Sequence, residues 1–593
     1  MAESKISKPQ RSSPIAIVDA TREAWRRLEE VVAIPTYTVF GGNSASNIPY
    51  IDNVRSYIEG RMSEIGVSDK DLHIVEIANT YDEETRKPQK TLLIRLGPNT
   101  PGGVMFCGHS DVVSTEGQPG WNTSPYKPEI KILDGEERMY GRGTVDMKGG
   151  IEAAIQTMLN TAKNATTLKK PVYLAITHSE ELGSLGFEDF QKALKKMEEE
   201  SSARVIPESV IVAEATDSDV LFAHKGATGY TATIQGNRHA NAFDYAAQLV
   251  IKFNEIQEKL IRDKATHDTA FDPPYAIVNL GILDYDPIKN SARIEAHVRT
   301  TPKAGFRAID ALVKKAVGEV TYGMENESIP SSVILDNAPI SSYELNFTGI
   351  DGHSAYPENA VNAAVYIAKT MQEIQTVRKE NFDVGIHFVE ARDIGSAGNS
   401  IPGSGTLYIT LQGGQSRIDD VWKDIQEKIR IVDNEMCAEQ RKKNYNLRRA
   451  GKDSLPEVTG FGISARQVDP ISPLNATRTT GTTSIAIHHD ERLERPLIPK
   501  SDQSGVLNIS NTLSNALGKD IKQGTGSFLT DAGFISAMIP EATVVVYGPG
   551  NLLGQGGHGV NEYIERKQIK EAITGNNALV DALCFQKTQS IGR

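Results

Sequence analysis

Cysteine is scarce in this 593-residue chain: Cys107, Cys437 and Cys584 lie far apart and form no disulfide framework, so a reducing, cytoplasmic setting is expected. No stretch approaches 18 consecutive apolar residues, which excludes a membrane-spanning helix. The first 13 residues are a polar tail, and the IAIV that follows is too brief for a signal-peptide core. Positive charge is in deficit, 64 − 76 = −12, which argues against a nucleic-acid partner. A GxSxG element is missing, so a nucleophile-elbow serine hydrolase lacks its main feature. What remains is 39% hydrophobic and 24% charged side chains in a chain long enough for several domains at roughly 150 residues each. That composition supports a sizeable core and excludes general disorder.

From Ala20 to about Gly226, helical periodicity alternates with short apolar runs. Thr21 to Val32, Ile51 to Ile65, Gly149 to Ala162 and Gly186 to Lys196 read as helices. TLLIRL, GGVMFCG, VYLAIT and SVIVAEA, bounded by Gly, Pro or polar residues, read as buried strands. The alternation predicts an α/β domain with a largely parallel sheet, whose chemistry gathers in loops at the strands' carboxyl ends. The same pattern resumes late in the chain, ending in ATVVVYGPG and a helix near Glu565 to Cys584.

Between these halves lies an internal repeat. YTATIQGNRHA, a helix, AIVNLGIL, SARIEAHVR and a helix are followed by YELNFTGIDGHSAYPENAVNAA, a helix, VGIHFVEARDIGSAGNSIP, GTLYITLQ and a helix. Each copy reads strand–helix–strand–strand–helix, a ferredoxin-like α+β plan. Gly236, His239 and Asn290 of the first copy match Gly349, His353 and Asn399 of the second. The expected organisation is a catalytic domain in two pieces, residues 1–226 and 456–593, interrupted by repeats at 227–335 and 336–455. The basic run RKKNYNLRRAGK reads as a solvated helix end.

Acidic and histidine residues recur where strands should end: His109 and Asp111 in GHSDVV, Asp146 in GRGTVDMKGG, Glu180–Glu181 in THSEELGS, Glu214 in VAEAT, His558 in GGHGVNEY. Each alone is ordinary, since a strand-end Asp commonly caps a turn and Glu-Glu commonly starts a solvated helix. Together they meet the needs of a two-metal hydrolytic site. Imidazole and carboxylate hold Zn²⁺ at about 2.0–2.2 Å, one carboxylate can bridge two ions, and another can stay unbound as a general base. Gly554, Gly556 and Gly559 spell GxGxxG, but no adequate βαβ unit follows. Cys107 reads as core.

The string GHSDVVSTEGQPGWNTSPYKPEI…MYGRGTVDMKGG, followed by HSEELGS, EAT and HGVNEY, resembles the M20 metallopeptidases. The likeness runs from Ile34–Pro35–Thr36 to the final helix, with spacings of 37 residues (109 to 146), 34 (146 to 180) and 34 (180 to 214). It implies that His109 and Glu214 bind one divalent ion, that Glu181 and His558 bind the other, and that Asp146 bridges them. Zinc is the first expectation, with manganese or cobalt as alternatives. Asp111 would orient the His109 ring, Glu180 would be the general base, and the Asp146–Met147 peptide would be cis. The doubled repeat resembles that of PepV-type dipeptidases, in which the insert is a lid that imitates a dimer within one chain. By that likeness His353 would stabilise the oxyanion, Asn399 would contact substrate, and the chain would be a monomer, a homodimer being the alternative.

Departures from the family pattern are Ser179 before the Glu pair and Ala215 after Glu214. Arg299, where the second repeat has Gln412, could grip a substrate carboxylate or pair structurally. The loops Gly524 to Ser527 and Gly548 to Gly550 permit close approach to a ligand. The expected activity is hydrolysis of an amide beside a free carboxylate in a small peptide, as a dipeptidase or carboxypeptidase. N-acyl-amino-acid deacylation is the alternative, and a non-catalytic metal-binding protein is the reading from a different class.

Overall fold

A computed structural model describes residues 14–39, 44–79, 87–116, 118, 120–237, 241–326, 338–353, 357–392, 394–395, 400–449, 454–456, 458, 460–471, 483–490, 495–500, 502–526, 528–552 and 554–585. The chain divides into two compact units, Met1–His224 with Arg495–Arg593, and Lys225–Glu494.

The first unit is built on an eight-stranded sheet. Its spatial order is Leu72–Ala78, Lys90–Leu96, Val172–Thr177, Val104–His109, Ser209–Val212, Thr543–Val546, Val220–His224 and Gln523–Gly526. The centre is parallel: Val104–His109 runs with Val172–Thr177 and with Ser209–Val212, which runs with Thr543–Val546. Leu72–Ala78 and Lys90–Leu96 pair antiparallel, as do Lys90–Leu96 and Val172–Thr177, and Val220–His224 opposes Thr543–Val546. The sheet is therefore mixed rather than largely parallel. Helical crossovers return the chain for the parallel pairs of the centre, Val220–His224 is again parallel to the edge strand Gln523–Gly526, and the direct connection from Leu72–Ala78 to Lys90–Leu96 reverses the chain at the other margin.

Side-chain alternation explains why both faces are covered. In Val104–His109, Val104 and Phe106 join one core while Met105 and Cys107 join another. Val172, Leu174 and Ile176 likewise face the first core, and Tyr173 and Ala175 the second. Period-two geometry sends neighbouring residues to opposite faces, so an unbroken apolar run is what a doubly covered strand requires. Helices Pro14–Val32, Ile48–Ile65, Gly149–Ala162, Ser504–Leu517 and Arg566–Val580 pack on the first face. Phe187–Ser201 and Ala532–Met538 pack on the second.

The second unit holds two antiparallel four-stranded sheets. One is ordered Ile277–Asp286, Ser291–Thr300, Gly226–Gln235, Ser484–Asp490. The other is Gly385–Arg392, Ser404–Gln412, Ile340–Thr348, Gly462–Val468. The two orders are the same once copies are matched, and the last strand of the first copy follows the whole of the second in the chain. This unit thus continues beyond residue 455, where the sequence reading returned to the first domain. Strands 462–468 and 484–490 belong here because they hydrogen-bond to Ile340–Thr348 and Gly226–Gln235.

Register also corrects one matched pair in the repeat. Gln235 pairs with Ser291 and Thr348 with Ser404, so the counterpart of Asn290 is Gly403, not Asn399. Gly236 and Gly349 do correspond: their N–H groups donate to Asn290 O at 2.8 Å and Gly403 O at 2.6 Å. One core runs through both copies, joining Phe243, Leu280 and Ile294 to Phe347, Ile367 and Leu407. Across this join Arg378 Nη1 donates to Asp244 Oδ2 at 3.0 Å, both side chains buried, and Asn362 Nδ2 donates to Leu280 O at 2.9 Å.

Candidate metal centre

The parallel centre of the sheet delivers three acid- or imidazole-bearing segments to one edge. His109 ends strand Val104–His109, Glu180 and Glu181 open the turn after Val172–Thr177, and Glu214 follows Ser209–Val212. Asp146 sits in the turn Thr144–Lys148 leading into helix Gly149–Ala162, and the Asp146–Met147 peptide is cis, as the likeness implied. His558, with φ 65°, comes from the loop before strand Tyr563–Glu565.

These side chains converge around Asp146. Its Oδ1 lies 3.2 Å from His109 Nε2, and its Oδ2 lies 3.0 Å from His558 Nε2. Glu214 Oε1 stands 3.3 Å from His109 Nε2, and Glu181 Oε2 stands 3.0 Å from His558 Nε2. Three groupings could hold an ion: the triads His109–Asp146–Glu214 and Asp146–Glu181–His558, which share one carboxylate, and His109–Glu180–Glu181. Glu180 is farther out, its Oε2 4.0 Å from His109 Nε2.

The donor chemistry fits divalent cations. His109 Nδ1 lies 2.9 Å from the Asp111 main-chain carbonyl, an acceptor, so Nδ1 carries the proton and Nε2 presents its lone pair. Nε2, the nitrogen left for an ion, faces two carboxylate oxygens, those of Asp146 and Glu214. His109 Nε2 and Glu181 Oε1 are buried without a hydrogen-bond partner among the described residues. Atoms bound at about 2.0–2.2 Å around a tetrahedral ion stand roughly 3.3–3.6 Å apart, close to the spacing at His109.

Burial and neighbouring charges shift the titrations of all six groups. Burial opposes charge on His109, but Glu214, Asp111 and Asp146 outweigh it and hold its pKa well above the ordinary value. His558 is raised the same way, against burial, by Glu181 and Asp146. Burial raises Glu180, aided by Glu181, Glu214 and Asp531; burial raises Glu181; and burial with Asp146 and Glu181 pushes Glu214 up to about 7. Asp146 is held low despite burial by the two histidines. One ionised carboxylate among three that burial holds back is an arrangement that an added cation would relieve.

Asp111 is buried beside His109, its Oδ1 3.6 Å from Nδ1. Its carboxylate accepts the backbone N–H groups of Glu180 and Glu181. Gly548 and Gly550 have a packing duty. A Cβ on Gly548 would strike the carbonyls of Ala213 and Glu214, and one on Gly550, with φ 92°, would strike Val145. Gly524 to Gly526 lie in an edge strand rather than a loop, and Ser527 falls outside the described residues. In the second unit Arg299 is buried in Ser291–Thr300, and Gly352–His353 pairs with Ser400–Ile401. Asn399 and His239 fall outside the described residues.

A family model for "Peptidase family M20/M25/M40" matches residues 105–581. The chain belongs to that family. Acetylornithine deacetylase of Aliivibrio fischeri (strain MJ11) is 27% identical over 250 residues, 40% of this chain and 61% of the relative. The chain thus spans about six-tenths of that curated relative's length. Acetylornithine deacetylase of Klebsiella pneumoniae (strain 342) is 26% identical over 255 residues, 41% of this chain and 61% of the relative. Among solved structures, human carnosine dipeptidase 1 shares 16% identity with a TM-score of 0.44, covering 95% of this chain and 97% of its own. The di-peptidase Dug1p of Saccharomyces cerevisiae shares 13% identity with a TM-score of 0.45, covering 95% and 96%. No helix among the described residues is long and apolar enough to cross a membrane.

For this M20-family chain, sequence reasoning missed several buried polar residues around the metal centre. Asp531 Oδ2 accepts from Thr177 Oγ1 at 2.7 Å, and its charge acts on Glu180. Lys148 Nζ donates to the carbonyls of Val31 and Ile34 at 3.1 and 2.9 Å, tying the first helix to the Asp146 turn. Arg142 and Glu562 form a buried ion pair of 2.7 Å. Both lie inside the quoted strings GRGTVD and HGVNEY, and their only sequence signal was a charge set among glycines and apolar residues.

Proposed function

We propose that this chain hydrolyses an amide bond next to a free carboxylate, as a dipeptidase or carboxypeptidase, using two divalent ions, zinc first. The observation that carries the reading is the Asp146 carboxylate between two histidines, 3.2 Å from His109 and 3.0 Å from His558, with Glu180 farther out at 4.0 Å from His109. His109, Asp146 and Glu214 would hold one ion, and Asp146, Glu181 and His558 the other. When bound, such ions supply Lewis acidity to the amide carbonyl and stabilise its developing negative charge.

The remaining steps belong to side chains. Glu180 takes a proton from the attacking water at a carboxylate oxygen, holds it, and delivers it to the departing nitrogen. Asp111 holds the Glu180–Glu181 turn through its two N–H bonds. The second unit is proposed as a lid of two ferredoxin-like repeats, a reading supported by their common strand order. The buried join between its copies supports a pseudo-dimeric monomer. In that reading His353 stabilises the oxyanion, Asn399 and Arg299 contact the substrate, and Gly548 and Gly550 line its approach.

N-acyl-amino-acid deacylation is the second reading, favoured by the acetylornithine deacetylases among the relatives. A turnover screen of metal-loaded protein, dipeptides beside N-acetyl and N-succinyl amino acids with a chelated control, separates the two. Chelator-sensitive cleavage confined to dipeptides supports the peptidase, and acyl-only turnover selects the deacylase. Silence on both sets rejects both readings.

A further inference from the structure

The two residues shared most directly by the second ligand triad, Asp146 and His558, stand 412 positions apart in the chain (558 − 146), on loops with no regular pairing of their own. The strands beside those loops pair, Tyr563–Glu565 with Arg138–Tyr140, and Gly141 N–H donates to Glu562 O at 2.9 Å; the side-chain link between the loops is the Arg142–Glu562 pair, with 1% and 0% of the side chains exposed. Glu562 Oε2 accepts Arg142 Nη1 at 2.7 Å, and Oε1 accepts the N–H groups of Val145 at 2.9 Å and Asp146 at 3.2 Å. Arg142 Nη2 reaches the other way, donating to the carbonyls of Gly559 at 3.0 Å and His558 at 3.4 Å and to Gln118 Oε1 at 2.8 Å. Gln118 Nε2 in turn donates to His558 O at 3.0 Å.

A buried ion pair is weak grounds for stability, because desolvation consumes most of the Coulombic gain. Its value lies in geometry: the planar guanidinium fork and two-oxygen carboxylate fix the angle between the segments they join. Every direct hydrogen bond of this brace to a ligand residue falls on the backbone of Asp146 or His558. None falls on His109 or Glu214. The two ligand triads are therefore supported unequally.

We infer that Arg142 and Glu562 are positioning residues that set the spacing of Asp146 and His558, so that the brace governs retention of the ion at Asp146–Glu181–His558 more than the ion at His109–Asp146–Glu214. The inference rests on the two-ion reading above. Outer supports of metal ligands are typically worth about 10–100-fold in affinity, and that is the loss expected at the second triad, with a smaller one at the first through the shared Asp146.

The test counts zinc per chain by elemental mass spectrometry after dialysis against graded chelator, with circular dichroism as a fold control. Wild type is expected to keep two ions at chelator levels where Glu562→Gln keeps one. Because Glu562→Gln leaves Arg142 charged and buried, the double variant Arg142→Met/Glu562→Gln, which leaves no unpaired charge, decides the matter if the single variant fails to fold. Arg142→Lys keeps the charge without the fork and should fall between. A folded double variant that keeps both ions at wild-type affinity overturns the inference. Parallel loss of both ions also overturns it, since that marks a general structural role. A wild type that binds no divalent ion would sink the two-ion reading instead.

Discussion

The carboxylate of Asp111 accepts the backbone N–H of Glu180 through Oδ1 and that of Glu181 through Oδ2, both at 3.1 Å. One buried side chain thus holds the proposed base and an adjacent proposed metal ligand at a fixed spacing. Its main-chain carbonyl, 2.9 Å from His109 Nδ1, sets the imidazole tautomer. Asp111→Ala should leave both N–H groups unpaired and loosen the turn. Zinc affinity is expected to fall about 10–100-fold, as measured by competition with a chelating dye. Asp111→Asn keeps one acceptor oxygen and should lose less. Equal zinc affinity in the alanine variant and wild type would remove this role.

Glu180→Gln keeps the size and hydrogen-bonding capacity of the side chain but cannot carry the proton. Zinc binding and unfolding temperature should match wild type, while kcat falls by about 10²–10⁴ or more. Metal content and turnover measured on one preparation check both halves. A variant that retained wild-type kcat would reassign the base.

Glu152 lies in helix Gly149–Ala162, fully buried, 3.6 Å from Arg27, with neither oxygen hydrogen-bonded among the described residues. Burial pushes its pKa up to about 7 from 4.5, more than Arg27 can offset. A raised folded pKa means its stabilising contribution is full below about pH 4.5 and is lost as pH rises through 7. The whole effect is worth roughly 3 kcal/mol at most. Glu152→Gln should therefore gain stability relative to wild type between pH 5 and 8, by roughly 2–3 kcal/mol in urea unfolding. A wild-type-to-variant difference that is flat with pH would contradict it.

Arg378 and Asp244 join the helices Ala242–Arg262 and Ala363–Glu380 of the two repeat copies, both side chains buried, and Gln375 Nε2 also donates to Asp244 Oδ1. Removing one partner strands a buried charge. Asp244→Ala should cost about 3–5 kcal/mol, whereas Arg378→Met with Asp244→Leu should be near neutral. Denaturant unfolding of the two variants decides, and equal losses would mean that packing rather than charge holds the join.

Much of this was readable from the sequence because the chemistry sits where apolar runs stop. Val104–His109, Val172–Thr177 and Ser209–Val212 are buried along their whole length, so each reads as a strand and its polar terminus is conspicuous. The closing strands of the second unit were not readable. Gly462–Val468 is an edge whose residues from Ser464 to Gln467 are exposed, so its sequence has no buried stripe to betray it. Nor does local pattern disclose that the strand Ser484–Asp490 returns to Gly226–Gln235, with Ser484 opposite Gln235 and Asp490 opposite Gly229. Arg142 and Glu562 were hidden for the same reason, separated by 420 positions. The direction of the marginal strands in the large sheet depends on connections that the strands' own residues do not encode.

The most direct test of the two-ion reading is a zinc titration of chelator-stripped protein, with metal binding and hydrolysis of the best dipeptide or N-acyl amino acid followed on the same samples. Binding is expected to saturate at two ions per chain, with activity absent in the stripped protein and maximal at saturation. Saturation at one ion or fewer, or full turnover in stripped protein, would contradict it.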